Sequence, residues 1–129
     1  MTLRSFDRPG DYIDGRFELP AAPEGEITTR SPADKDDLVG CHPWAVSQVD
    51  RAVEAASVAQ RSWKRLSKGE RAAFLRAYQE VAKRRKEEIA QTIAREVGKA
   101  IWDARAEAGA IAAKVDLVLG DGAAWTEDR

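Results

Sequence analysis

Cys41 and His42 are the residues of this sequence whose types suggest nucleophilic catalysis. A thiol nucleophile needs a base within hydrogen-bond reach and a third group that orients the base. Adjacent residues of an extended segment point to opposite faces, so the imidazole would face away from the thiol. Pro43 and Trp44 follow directly and favour a packed turn. We therefore predict a structural role for both residues and no catalytic residue in the chain.

The remaining patterns that carry chemistry also point to no site. One histidine and one cysteine cannot form a tetrahedral zinc site without several carboxylates, so no metal-binding residue is predicted. The Gly-x-x-x-x-Gly-Lys, Gly-x-Gly-x-x-Gly and Gly-x-Ser-x-Gly motifs are all missing. Gly120-Asp121-Gly122 follows a predicted helix instead of a strand, which is the wrong position for a phosphate-binding loop. We therefore predict no cofactor-binding residue.

A basic run at residues 83–86 leaves two interpretations open, a nucleic-acid contact or a solvated helix face. Acidic residues four positions away supply partners on the same helical face, which favours the solvated face. The predicted pairs are Glu80–Arg84, Lys83–Glu87 and Arg84–Glu88. We therefore predict no nucleic-acid partner.

Composition supports a single soluble domain. The chain has 129 residues, of which 43% are hydrophobic and 33% charged, with a net charge of −1. This balance gives no general attraction to nucleic acid or to an anionic membrane. We expect no membrane contact, since no apolar run is long enough to cross a bilayer. Residues 1–10 lack the apolar core of a signal peptide, and the single cysteine excludes an internal disulfide, so a cytoplasmic protein is predicted.

The first part of the chain, residues 1–46, holds all five prolines and reads as strands and turns. Asp14-Gly15 lies between short apolar runs, which predicts a two-residue hairpin turn. A second hairpin is predicted from strands at 27–31 and 38–39, with Gly40 ending the latter.

Residues 47–119 contain no proline and predict a three-helix segment, followed by a tail at 120–129. Together with residues 1–46 they are expected to form one incomplete domain. The first helix begins at Ser47, with Asp50 in a relaxed capping box, and the second at Ser67, where Glu70 completes a full box. The second runs to Gly98, which is placed to end it in a left-handed cap, and Arg85 interrupts only its apolar stripe. The third covers 101–119. The predicted apolar stripes are Val49, Val53, Ala56, Ala59 and Trp63; then Phe74, Tyr78, Val81, Ala82, Ile89, Ile93 and Val97; then Ile101, Ala108, Ile111, Ala112, Val115 and Leu119.

The order of these segments resembles the N-terminal region of the aldehyde dehydrogenase superfamily. The matching segments are a Tyr-Ile-Asp-Gly-Arg-Phe hairpin at 12–17, a turn at 30–34, a Val-Asp-x-Ala-Val-x-Ala-Ala helix at 49–56, a tryptophan at 63, a Leu-Ser-x-x-Glu-Arg box at 66–71 and Glu-x-Gly-Lys at 96–99. Residues 93–104 are most similar to succinylglutamate semialdehyde dehydrogenases. The sequence departs from the family at Ser31, where asparagine is usual, and at Ala100, where proline is usual.

The resemblance implies a mostly α segment with N-terminal β-hairpins, part of the α/β aldehyde dehydrogenase fold. It implies an oxidoreductase that converts an aldehyde to a carboxylate with NAD or NADP. The family's catalytic cysteine, glutamate and glycine motif lie downstream of the matched segments, so this chain is expected to be an inactive N-terminal fragment. Some members hold a monovalent cation near positions matching Thr29, Arg30 and Glu96, although a plain helix-end carboxylate is the favoured role for Glu96.

The same resemblance predicts exposed apolar helix faces that pack against the rest of the fold or form a homo-oligomer. The alternative is a stand-alone helical module that binds another protein through the stripe from Phe74 to Val97.

Overall fold

The computed structural model describes residues 10–125, which contain two small antiparallel sheets and five helices. The strands are β1 (Asp11–Ile13), β2 (Arg16–Glu18), β3 (Gly25–Arg30) and β4 (Leu38–Trp44). The helices are α1 (Ser47–Trp63), α2 (Lys68–Arg84), α3 (Lys86–Val97), α4 (Ile101–Leu119) and α5 (Asp121–Ala124). The prediction of a mostly helical chain with N-terminal hairpins is confirmed. The predictions for residues 1–9 and 126–129 lie outside the described residues.

Backbone contacts divide the chain into two compact units, Met1–Arg65 and Leu66–Arg129. The first unit contains both hairpins and α1, and the second contains α2 to α5. The helix predicted to open the helical segment therefore groups with the strands, because it contacts β1 and its Arg51 bonds to Glu18 of β2.

The first hairpin forms as predicted. Tyr12 pairs with Phe17 across the strands, and Asp14 and Gly15 form the turn with φ of 51° and 81°. Positive φ at both central residues matches the right-handed twist of the two strands. The rings of Tyr12 and Phe17 lie 5.0 Å apart in a tilted arrangement that favours this register.

The second hairpin is longer than predicted. Gly40 does not end β4, which continues to Trp44 in a register that pairs Thr28 with Cys41 and Gly25 with Trp44. The predicted turn at Pro43 is also wrong, since Pro43 lies within the strand. Both strands of this two-stranded sheet are edge strands, and an edge strand tolerates proline because its outer side needs no backbone N–H donor.

Helix α1 begins at Ser47 as predicted, but without the predicted cap. Val46 occupies the N-cap position and makes no side-chain cap hydrogen bond. The buried residue of α1 is Gln48, which accepts a hydrogen bond from Arg51 at 3.0 Å. The predicted stripe lies on another face, because Val49 and Val53 are 59% and 61% exposed.

The second predicted helix is two helices. Its capping box is present, with the Ser67 hydroxyl accepting from the Glu70 N–H and the Glu70 carboxylate accepting from the Ser67 N–H. The helix stops at Arg85, whose φ and ψ of −96° and 10° are not helical, and α3 begins at the next residue. The bend lets α2 and α3 both pack on α4. The described chain therefore has four long helices where three were predicted.

Helices α3 and α4 meet through alanines. Ala90, Ala104 and Ala108 are fully or almost fully buried, and Ile89, Ile93 and Ala94 pack against them. Small side chains let two helix backbones approach closely. Gly98 connects the helices with a φ of 68°, the left-handed conformation predicted for it. Three of the four buried residues of α4, Ala108, Ala112 and Val115, belong to its predicted stripe, whereas the fourth, Ala104, does not.

Candidate functional site

Cys41 and His42 lie in the second hairpin. They are consecutive residues of β4, and the thiol of Cys41 donates to the carboxylate of Glu26 on the paired strand. This hydrogen bond raises the pKa of the Cys41 thiol and lowers the pKa of Glu26. A raised pKa disfavours the thiolate, which is the nucleophilic form. The structural role of Cys41 and His42 stays a prediction.

The residues suggested for a cation site lie at separate elements. Thr29 and Arg30 end β3, where the Arg30 guanidinium donates to the carbonyl of Lys35 at 3.2 Å. Glu96 is exposed in the last turn of α3. Within residues 10–125, no three histidine, cysteine, aspartate or glutamate side chains are grouped as metal ligands would be.

Two of the four basic residues at the α2–α3 junction form ion pairs, but not at the predicted spacing. Lys83 contacts Glu80 at 2.8 Å and Arg85 contacts Glu88, both three residues apart. Glu87, predicted to pair with Lys83, instead takes two hydrogen bonds from Arg105 of α4. The predicted pairs assumed an unbroken helix, and the break at Arg85 changes which side chains share a face.

A polar cluster joins α2 to α4 in the second unit. Gln79 is only 3% exposed, and its amide donates to the carbonyl of Ala112 at 2.9 Å and to Asp116 at 2.8 Å. Arg76 donates to Gln79 at 2.9 Å and also bonds to Asp116. The bond from Arg76 lowers the pKa of Asp116. These hydrogen bonds link α2 to α4.

An apolar groove of about 260 Å³ lies beside that cluster. Its lining residues are Leu75, Tyr78, Ile111, Lys114, Val115 and Val118. Five of the six are apolar or aromatic, and Lys114 supplies the one charge. Phe74 and Val81 are also exposed on α2, so this helix presents a substantial apolar surface.

We name two surfaces from these observations. The α2–α4 groove is defined by the six residues above. The α1 stripe consists of Val49, Val53, Ala56, Ala59 and Trp63, all of them exposed. Sequence periodicity predicted the α1 stripe, but it did not predict the groove. Gln79, which is buried beside the groove, lies outside the apolar stripe predicted for α2.

A cleft of about 240 Å³ lies between the first hairpin and α1. Arg51 donates to Glu18 at 2.8 Å inside it, and Arg16 lies 3.6 Å from the same carboxylate. These contacts lower the pKa of Glu18, with the Arg51 hydrogen bond as the largest cause. The ion pair between Arg51 and Glu18 therefore links α1 to the first hairpin.

Comparison with known proteins places these elements in a family. The model of the aldehyde dehydrogenase family matches residues 20–127, which is most of the chain. The chain belongs to the aldehyde dehydrogenase family. The matched region corresponds to the N-terminal portion of the family, which confirms the resemblance.

Similar proteins support the same placement of this aldehyde dehydrogenase segment. The N-succinylglutamate 5-semialdehyde dehydrogenase of Chromobacterium violaceum is 37% identical over 109 residues, which is 84% of this chain and 22% of that protein. The protein of the same name from Paraburkholderia xenovorans is 42% identical over 108 residues, again 84% of this chain and 22% of that protein. The chain thus spans about a fifth of the length of the relatives it matches.

A solved structure shares the fold. The NAD-dependent aldehyde dehydrogenase from Sinorhizobium meliloti matches with a TM-score of 0.78 and 32% sequence identity, covering 87% of this chain and 23% of that one.

No helix within residues 10–125 is both long and apolar enough to cross a membrane.

Proposed function

We propose that this chain is the N-terminal part of an NAD(P)-dependent aldehyde dehydrogenase that oxidises an aldehyde to a carboxylate in the cytoplasm. The observation that carries the proposal is the extent of the match. More than four-fifths of this chain aligns with only 22–23% of each relative. In this proposal the remaining length would complete the active site.

In this proposal the chain contributes no catalytic, cofactor-binding or metal-binding residue. The raised pKa of Cys41 and its bond to Glu26 argue against its acting as the family's nucleophile. The reacting cysteine, the glutamate and the NAD or NADP site would come from the rest of the fold. The names of the similar proteins make N-succinylglutamate 5-semialdehyde the first aldehyde to assay.

The role we assign to the chain is structural. The strands and helices together would form part of one domain, with the α2–α4 groove and the α1 stripe packed against the rest of the fold. Exposed valines on α1 and aromatic residues on α2 support this assignment. Contiguous apolar surface of this kind is uncommon on a soluble monomer and marks a protein interface. The family's homo-oligomers offer a second way to cover the same faces.

The first experiment is size-exclusion chromatography with light scattering on the purified 129-residue chain, combined with circular dichroism on the same sample. A helical chain that self-associates and binds an apolar dye is the expected result, because its docking faces lack their partner. A discrete monomer or dimer with a sharp thermal transition would contradict it. That result would favour the stand-alone helical module instead.

A matched pair of variants tests the assigned surface. Val118→Glu places a charge in the α2–α4 groove, whereas Val97→Glu makes the same change at an exposed site outside it. We expect Val118→Glu to reduce dye binding and self-association more than Val97→Glu does. Equal effects of the two substitutions would refute the role of the groove.

Activity provides an independent test. The 129-residue chain should give no aldehyde-dependent increase in NADH absorbance with N-succinylglutamate 5-semialdehyde. Activity from this chain alone would overturn the assignment of the catalytic residues to the rest of the fold.

A further inference from the structure

We draw no further inference here: the strongest candidate, the apolar groove between α2 and α4 with Lys114 on its lining, belongs to the surface already assigned to the rest of the fold, and nothing in the structure shows which segment covers it.

Discussion

Replacement of Ala104 by leucine tests the central packing of the second unit. Ala104 is 0% exposed and lies with Ala90 and Ala108 where α3 meets α4. A leucine side chain adds three carbon atoms at a point where buried alanines pack between the two helices. The helices must move apart, or the new side chain must adopt a strained rotamer.

The expected cost follows from that geometry. Extra carbon atoms in a packed core reduce the free energy of unfolding by about 1–3 kcal/mol. For a unit of this size, each kcal/mol lowers the melting temperature by roughly 4–8 °C. Helix propensity contributes little to the difference, because alanine and leucine are both strong helix formers.

Ala106 provides the matched control, since it is an exposed alanine on the same helix. Ala106→Leu should change the free energy of unfolding by no more than about 0.5 kcal/mol. Both variants are compared with the unchanged chain by urea denaturation, followed by circular dichroism at a concentration low enough to limit association. If the Ala104→Leu and Ala106→Leu variants unfold at the same urea concentration, the inference that alanines pack closely between α3 and α4 is refuted.

Three further changes test other parts of the second unit. Ser67→Ala removes the hydroxyl that accepts the Glu70 N–H at 3.2 Å, and should cost about 0.5–2 kcal/mol in urea denaturation; an unchanged midpoint would contradict the capping box. Ala100→Pro should raise the free energy of unfolding by about 0.4–1 kcal/mol, because the φ of −61° at Ala100 suits proline; a lower midpoint would show that the proline ring does not fit. The hydrogen bond from Arg105 lowers the pKa of Glu87 from 4.5 to about 2, so the stabilisation from this pair is complete above pH 4.5 and is lost as the pH falls towards 2. The Glu87→Gln variant should therefore lose less stability than the unchanged chain over that pH range. Equal losses in an acid titration followed by circular dichroism would refute the pairing.

Local patterns were reliable where the cause of a structure lies within a few residues. The Asp14-Gly15 turn, the Ser67–Glu70 capping box and the left-handed Gly98 all formed as predicted. In each case neighbouring atoms alone set the preference, through positive φ or through a hydrogen bond across three residues. The order of these local signals was also what made the family resemblance visible.

Predictions that needed a distant partner were less reliable. Gly40 and Pro43 were expected to end or turn the chain, yet pairing with β3 keeps both in a strand. The basic run was expected to pair along one continuous helix, but Arg105 of α4 binds Glu87 instead. The sequence has no local signal for these contacts, because the partner residues are far away along the chain.

The sequence alone determined the helical character of residues 47–119 and the apolar periodicity of α1. It also showed that this segment lacks recognisable catalytic and cofactor motifs. Only the tertiary structure decided which faces became core. Periodicity identifies an apolar stripe but not its partner, so Val49 and Val53 are exposed whereas Gln48 is buried. The physical reason is that burial depends on the packing of whole elements, and hydrogen bonds from buried groups such as Gln79 fix that packing.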